Sequence, residues 1–407
     1  MPAGGPVSPT VLFLGASHQQ LAPILYARGA GYRVVTCDNR PDNPGHALAD
    51  AWHEVSTTDR DGVLRVARAE RIDAVVCYAS DASAPTAAYV AQALGLPGNP
   101  LAAVETLVDK GRFRDFQRAH GLFLPRHRVV AADEPRAAAA LVAELGLPVV
   151  VKPVDGSGGK GVAKVADAGA LDAAVAEALR HSPGGRAIVE QLVVPRGHQV
   201  CGEGFLQDGT IVFHAFANEH FVPGLVVPVG ETFPSMFDAA TVESGVAVLQ
   251  SILSALGMRQ GAFNFDLMFT PAGEVFVIEI GPRNGGNRMP EAALAAWQVD
   301  TIAATVEVAL GRRVELVPGP VRYRATYSVH SRRDGILRSI DYHPDLRMHI
   351  LDELPFRAPG DAVHAFTQGN RMLANLLLAF DDYAHMLHTV ENMDDYIRVN
   401  LEPQAGA

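Results

Sequence analysis

Two acidic residues stand alone inside apolar strand-like runs: Asp266 in GAFNFDLMF (261–269) and Glu279 in EVFVIEIGPRNGGN (274–287), with only the turn 270–273 between the runs. A lone carboxylate is costly to bury, so each needs a partner. On paired strands the two fall on one face, where they suit a hard divalent cation that bridges phosphate oxygens. Otherwise each meets a buried arginine or caps a turn. A second feature is VVVKPVDGSGGKGV (149–162), a buried strand that ends in Lys152 and runs into a glycine-rich turn. Gly156, Gly158, Gly159 and Gly161 let backbone N–H groups fold over an anion, and Ser157 and Lys160 add donors. The pattern is not G-x-x-x-x-G-K-[ST] leading into a helix, and a ligand-free flexible turn would use the same residues. An anion loop, lysines, paired carboxylates and Arg283 together describe a site that neutralises a polyphosphate and the charge that develops as it breaks. Such a site needs no Ser-His-Asp or Cys-His set.

The elements that must hold these residues follow from periodicity. Short apolar runs at 10–14, 33–36 and 74–78 alternate with helical patterns at 19–30, 61–70 and 84–94, which reads as βαβ units around a parallel sheet. The turn after the first strand, GASHQQ (15–20), has only the first glycine of the dinucleotide pattern G-x-G-x-x-G, so that class of cofactor is disfavoured. Asp38, Ser80 and Asp81 follow strand C-termini, where such sheets present ligand groups, and each also suits a helix cap. The text changes near 105–110. Beyond it, strands are expected at 128–130, 149–152 and 161–165 with helices at 135–145 and 171–179. A strand bearing Glu190, an Asp208-Gly209 hairpin turn, a helix over 239–256 and the two carboxylate strands come next. The last piece, 316–407, carries a strand-like RYRATYSVH, a hairpin near 333–335 and a final helix with Asp394, Asp395 and Tyr396, read as structural.

The chain has 407 residues and a net charge of −11, with basic residues scattered singly, which gives no footprint for nucleic acid or an anionic bilayer. Three cysteines, Cys37, Cys77 and Cys201, form no disulfide or metal-knuckle pattern and fit a reducing cytoplasm. No run is long enough to span a membrane, and the N-terminus lacks a signal-peptide pattern.

The order of these motifs over about residues 1–310 resembles the ATP-grasp superfamily, in the carboxylate–amine ligase branch that looks like carbamoyl-phosphate synthase and bacterial L-amino-acid ligases. The resemblance rests on Asp109-Lys110, Val151-Lys152-Pro153 with its glycine loop, Val189-Glu190-x-x-Val193, the carboxylate strands and Pro282-Arg283-x-Gly285-Gly286. It implies an α/β and α+β fold: a Rossmann-like pre-ATP-grasp domain over 1–108, an ATP-grasp domain over 109–315 with a lid at 155–161, and an α+β extension over 316–407. It also implies ATP with Mg2+, or Mn2+ in its place. Lys110 and Lys152 would meet the ATP phosphates, with Lys152 reaching back toward adenine. Glu190 and the backbone near Leu192 match the adenine strand, and the lid residues Gly156, Ser157, Gly158, Gly159 and Lys160 would cover the β- and γ-phosphates. Gln199 falls where the family usually carries a ribose-binding Glu. Asp266 and Glu279 match the metal carboxylates; the usual third element is an Asn at the position of Gly281, and Asn284 is offered instead. Arg283, with Gly285 and Gly286, matches the substrate carboxylate site, and Arg283 and Lys152 would be the catalytic pair. Glu219 and His220, in the segment that also holds His214, match an acceptor-contacting region. The implied activity is phosphorylation of a carboxylate and its joining to an amine, both small molecules, with release of ADP and phosphate. Activation of bicarbonate or formate, or nucleotide binding without turnover, are the alternatives, the latter because of Gly281 and Gln199. A homodimer is the expected assembly.

Overall fold

The computed structural model describes residues 8–133, 140, 142–143 and 146–403; the helix expected at 135–145 lies largely outside the described residues. The N-terminal sheet is parallel, with strands β1 (Thr10–Leu14), β2 (Arg33–Asp38), β3 (Ala51–Glu54) and β4 (Ala74–Cys77) in the order β3-β2-β1-β4. The sequence pattern misses β3, a four-residue edge strand whose side chains are alternately half-buried and exposed. The turn after β1 closes on protein: Gln20 donates to the Tyr78 carbonyl at 2.8 Å, and its side chain lies against Gly15. Asp38 accepts from Ala16 N, Arg40 N and Asn43, so its carboxylate holds a turn. The helix Thr301–Ala309 packs on this sheet through Ile302 and Val306, which join the core of Val11, Phe13, Ile24 and Val34.

A second, antiparallel sheet is ordered β5-β8-β6-β7, from β5 (His127–Ala131), β6 (Val149–Pro153), β7 (Ala163–Val165) and β8 (Arg186–Gln191). The largest sheet has eight strands in the order β13-β12-β9-β10-β11-β14-β18-β16. Its members are β9 (Val200–Gln207), β10 (Thr210–Phe221), β11 (Pro228–Phe233), β12 (Gly261–Phe269), β13 (Val275–Gly281), β14 (Tyr323–Val329), β16 (Ile350–Pro355) and β18 (Ala374–Phe380). A third antiparallel sheet pairs β15 (Gly335–Tyr342) with β17 (Ala362–Val363) and β19 (Ile397–Glu402). The hairpin expected near 333–335 is therefore absent: β14 pairs with β11 and β18, while β15 joins a different sheet. Asp394 and Asp395 sit in a short 3-10 turn, Met393–Asp395, after the helix Tyr383–Glu391. The Asp208-Gly209 turn does form, with φ of 54° and 85°, closing Gln207 on Thr210.

The two faces of the large sheet differ because strand side chains alternate. Phe263 and Phe265 of β12 lie opposite Gly204 and Gly202 of β9 and pack with Phe216, Leu249 and Ile252 beneath the helix Ala239–Ala255. The glycines leave room for the rings: a Cβ at Gly202 would fall 2.2 Å from Phe265 Cζ and 2.5 Å from the Ala215 carbonyl. The opposite face carries Asn264 and Asp266. Gly202→Ala is expected to lower stability by about 1–3 kcal/mol, read as a lower chemical-denaturation midpoint; an unchanged midpoint contradicts this packing.

Candidate functional site

The register of β12 on β13 places Asp266 directly opposite Glu279, so the two carboxylates occupy facing rungs of one ladder. Glu279 takes the Lys110 ammonium at 3.3 Å, a basic partner that its apolar sequence surroundings do not disclose. Lys110 also donates to the Gly156 carbonyl at 2.9 Å, tying the carboxylate strands to the glycine-rich loop. It reaches both because Asp109 caps the helix Lys110–Ala119, accepting from Arg112 N at 2.9 Å. Burial would raise the Glu279 carboxyl, but Lys110, Lys152 and Arg283 outweigh that and hold it below the usual range. Asp266 shows the opposite balance. Burial and the charges of Glu219 and Glu279 push its carboxyl well above the usual range, with Arg283 only partly compensating.

Lys152, at the end of β6, lies 3.0 Å from Glu190 Oε2. Glu190 is 2% exposed and also accepts from Arg114 Nε at 2.6 Å; the Arg114 side chain is wholly buried. Burial alone would raise the Glu190 carboxyl, but the guanidinium and ammonium hold it well below the carboxylate range. Its carboxylate is thus engaged in orienting Lys152, while Glu190 itself stands on the strand β8 that leads to Leu192, the segment matched to adenine. Arg114 escaped the sequence reading. The available signal was its spacing of one helical turn from Lys110, together with the need of a glutamate in a buried strand for a cation.

The loop over 155–161 is anchored at its start, where Asp155 accepts from Ser182 at 2.5 Å and from Gly184 N at 2.7 Å. Gly158, Gly159 and Gly161 have φ near 70°, a conformation that L side chains rarely adopt. A cleft of about 810 Å3 lies beneath it. Its walls include Lys110, Lys152, the loop residues Gly156 to Lys160, Glu190, Leu192, Gln199, Glu219, His220, Asp266 and Glu279. Leu192 N donates to the Pro148 carbonyl at 3.3 Å. Gln199 donates to Glu219 at 2.5 Å, so the two side chains act as one unit. His220 bonds the Thr232 hydroxyl at 2.9 Å, and burial with the neighbouring His198 lowers its pKa to about 3. His214 instead packs edge-on against Phe216. The C-terminal segment closes one side of the cleft through Tyr327, Arg332, Glu391 and Asp394, a role its sequence did not signal. There His198 meets Glu391 at 3.3 Å, and its ring lies 4.8 Å from that of His220, tilted by 54°.

Arg283 is engaged by the N-terminal sheet. Its Nε donates to Asp81 Oδ1 at 2.9 Å, its Nη2 to Asp81 Oδ2 at 2.5 Å, and its Nη1 to the Asn284 carbonyl at 2.9 Å. Asp81 follows β4, and Ala79 between them takes a left-handed φ of 52°. Asn284 does not join the carboxylate pair, which corrects its expected part in a metal set. Its amide donates to Glu203 at 2.7 Å and its oxygen accepts from Thr305 at 2.8 Å. Glu203 also accepts from Gly285 N at 2.7 Å, holding the Arg283–Gly286 turn from below; burial pushes its carboxyl up to about 8 against those hydrogen bonds. Gly285 and Gly286 thus lie in a loop fixed by a buried glutamate that sequence reasoning missed. A second missed carboxylate is Glu231, opposite Glu219 on β11, raised to about 8 by burial and the charge of Asp266.

Residues 145–291 match the family described as ATP-grasp domain. The chain carries an ATP-grasp domain. Similarity reaches beyond it: an uncharacterized protein, y4rH, of Sinorhizobium fredii is 30% identical over 306 residues, 70% of this chain and 60% of that protein. The formate-dependent phosphoribosylglycinamide formyltransferase of Burkholderia cenocepacia is 29% identical over 300 residues, 69% of this chain and 71% of that one. Among solved structures, the L-amino acid ligase from Bacillus licheniformis has a TM-score of 0.82 at 19% identity, covering 97% of this chain and 99% of that one. The phosphoribosylglycinamide synthetase from Anaerococcus prevotii has a TM-score of 0.74 at 18% identity, covering 97% and 100%. The fold is the ATP-grasp fold, and among the described residues no helix is long and apolar enough to cross a membrane. The glycine-rich loop, Lys152, Glu190 and both carboxylate strands fall within the matched residues 145–291; Lys110, Arg114 and Asp81 precede them.

The donor set fits a divalent cation, since two facing carboxylates and the nearby Glu219 leave buried negative charge that Lys110 and Arg283 balance only in part. Protons compete with a cation for Asp266 and Glu219, whose pKa values are raised. Mn2+ affinity is therefore expected to strengthen from about pH 6 to about pH 8, with protons released on binding. In the metal-free protein the same groups give stability that is fully present below their unfolded values and is lost as pH rises through the raised ones. Calorimetry in buffers of different ionisation enthalpy reads the proton release; binding without it contradicts the assignment.

Proposed function

We propose that the protein is an ATP-dependent ligase that transfers the γ-phosphoryl group of ATP to a carboxylate oxygen and joins the resulting acyl-phosphate to an amine. The observation that carries this reading is the convergence of Lys110, Lys152, the glycine-rich loop and the Asp266–Glu279 pair on one cleft. In it, Lys110 and Lys152 meet phosphate oxygens as charge-assisted donors, and the loop supplies further N–H groups and excludes water from the acyl-phosphate. Asp266 and Glu279 would hold Mg2+ or Mn2+, which neutralises phosphate charge when bound. Arg283 offers a planar two-pronged contact to the reacting carboxylate, and Asp81 keeps its guanidinium in position. Attack of the amine nitrogen on the acyl carbon expels phosphate, and the nitrogen loses its proton.

The substrate pair is a small carboxylic acid and a small amine, consistent with the likeness to an L-amino acid ligase along nearly the whole chain. A second reading, activation of formate or bicarbonate, is favoured by the formate-dependent relatives at 29% identity. Three free cysteines, none in a disulfide, support a cytoplasmic setting for either.

Incubation with ATP, Mg2+ and pools of amino acids and small carboxylates tests the proposal through ADP release and product mass. ADP release is expected to require both partners, and Arg283→Ala to lower turnover at least about a hundredfold with ATP affinity nearly unchanged. Turnover that needs formate or bicarbonate and one amine moves the protein to the second reading. ATP binding with no turnover on any pair contradicts both.

A further inference from the structure

Asn264 precedes Asp266 by two residues on β12, so the two side chains share a face, on adjacent rungs, away from Phe263 and Phe265. The residue opposite Asn264 is Gly281, two residues after Glu279 on β13. A Cβ at 281 would fall 2.1 Å from Asn264 Oδ1, so the amide fills the volume that a side chain at 281 would take. That oxygen accepts no hydrogen bond, although Asn264 is only 8% exposed. Its neighbours do not relieve it. Asp81 Oδ1 lies 2.9 Å and Arg283 Cζ 3.2 Å from the same Cβ position, but the carboxylate has no proton to give and the guanidinium is engaged by Asp81 and the Asn284 carbonyl. A buried acceptor without a donor, one rung from two carboxylates, has the chemistry of a ligand oxygen awaiting a cation.

We propose that Asn264 Oδ1 is a ligand of the divalent cation held by Asp266 and Glu279, and that Gly281 is required because any Cβ there displaces this oxygen. The inference rests on the metal pair of the ligase reading and extends it to two residues outside the expected set. A neutral oxygen suits the position: it fills a coordination site for a hard cation without adding charge to a cluster where Glu219 already repels Asp266. Asn284 cannot serve there, since Glu203 and Thr305 hold its amide.

The test is the affinity for Mn2+, read from the free-ion electron paramagnetic resonance signal, on the full chain with a non-hydrolysable ATP analogue. A nucleotide-dependent Mn2+ site in the wild type that Asp266→Asn abolishes establishes the metal pair; its absence overturns that reading itself. Given the site, Asn264→Ala is expected to weaken Mn2+ about tenfold or more, with metal-free analogue binding and the melting midpoint unchanged. Asn264→Asp keeps the oxygen and loses the NH2 group, so it retains Mn2+ binding. Gly281→Ala matches the loss of Asn264→Ala, and the double variant is no weaker than either single one. Wild-type affinity in Asn264→Ala, loss in Asn264→Asp, or losses that multiply in the double variant would each overturn the proposal. If Asn264→Ala fails to fold, Asn264→Asp and Gly281→Ala carry the decision.

Discussion

The structure turns on a charge imbalance placed at the partly buried wall of a cleft. Four carboxylates, Glu279, Asp266, Glu219 and Glu231, lie on strands of one sheet; burial and neighbouring carboxylate charge raise the last three, while Lys110, Lys152 and Arg283 hold Glu279 low. An arrangement of this kind persists only where cations offset it, because buried charge without a partner is costly. Lys110 supplies part of the offset at Glu279, and Arg283 another part. On the proposed ligase reading, the remainder would be offset by a divalent cation that arrives with a polyphosphate.

The surrounding elements keep the cationic side of that balance in place. Arg114 and Lys152 grip one wholly buried glutamate, so the Lys152 ammonium faces the cleft from a fixed base. Asp81 performs the corresponding task for Arg283 from the other side, reaching across from the N-terminal sheet. The parallel sheet is therefore part of the site through one ion pair, although the turn after its first strand is sealed by Gln20. The C-terminal strands continue the same large sheet through β14, and the helix that follows β18 brings Glu391 to His198.

Much of this was legible from residue pattern. The glycine loop, the apolar strands interrupted by Asp266 and Glu279, and the Asp-Gly turn at 208–209 each announce local chemistry that the fold then uses. What escaped is mostly pairwise and distant in sequence. Arg114 meets Glu190 across 76 residues and Asp81 meets Arg283 across 202, and no periodicity links such partners. Asn284 misled because proximity in sequence to Glu279 says nothing about direction: a buried glutamate on another strand turns its amide away. The 333–335 segment misled because turn residues fix a change of direction without fixing which strands pair afterwards.

On the proposed reading, the facing carboxylates of β12 and β13 form the cation site of a nucleotide cleft. Anomalous diffraction from crystals grown with Mn2+ and a non-hydrolysable ATP analogue tests it most directly. An anomalous peak bonded to Asp266 and Glu279 is expected, with the analogue's phosphates against it beneath the loop over 155–161. A bound analogue with its only Mn2+ peak elsewhere, for example between His198, His220 and Glu391, whose ligand atoms lie within 4.8 Å of one another, would contradict it.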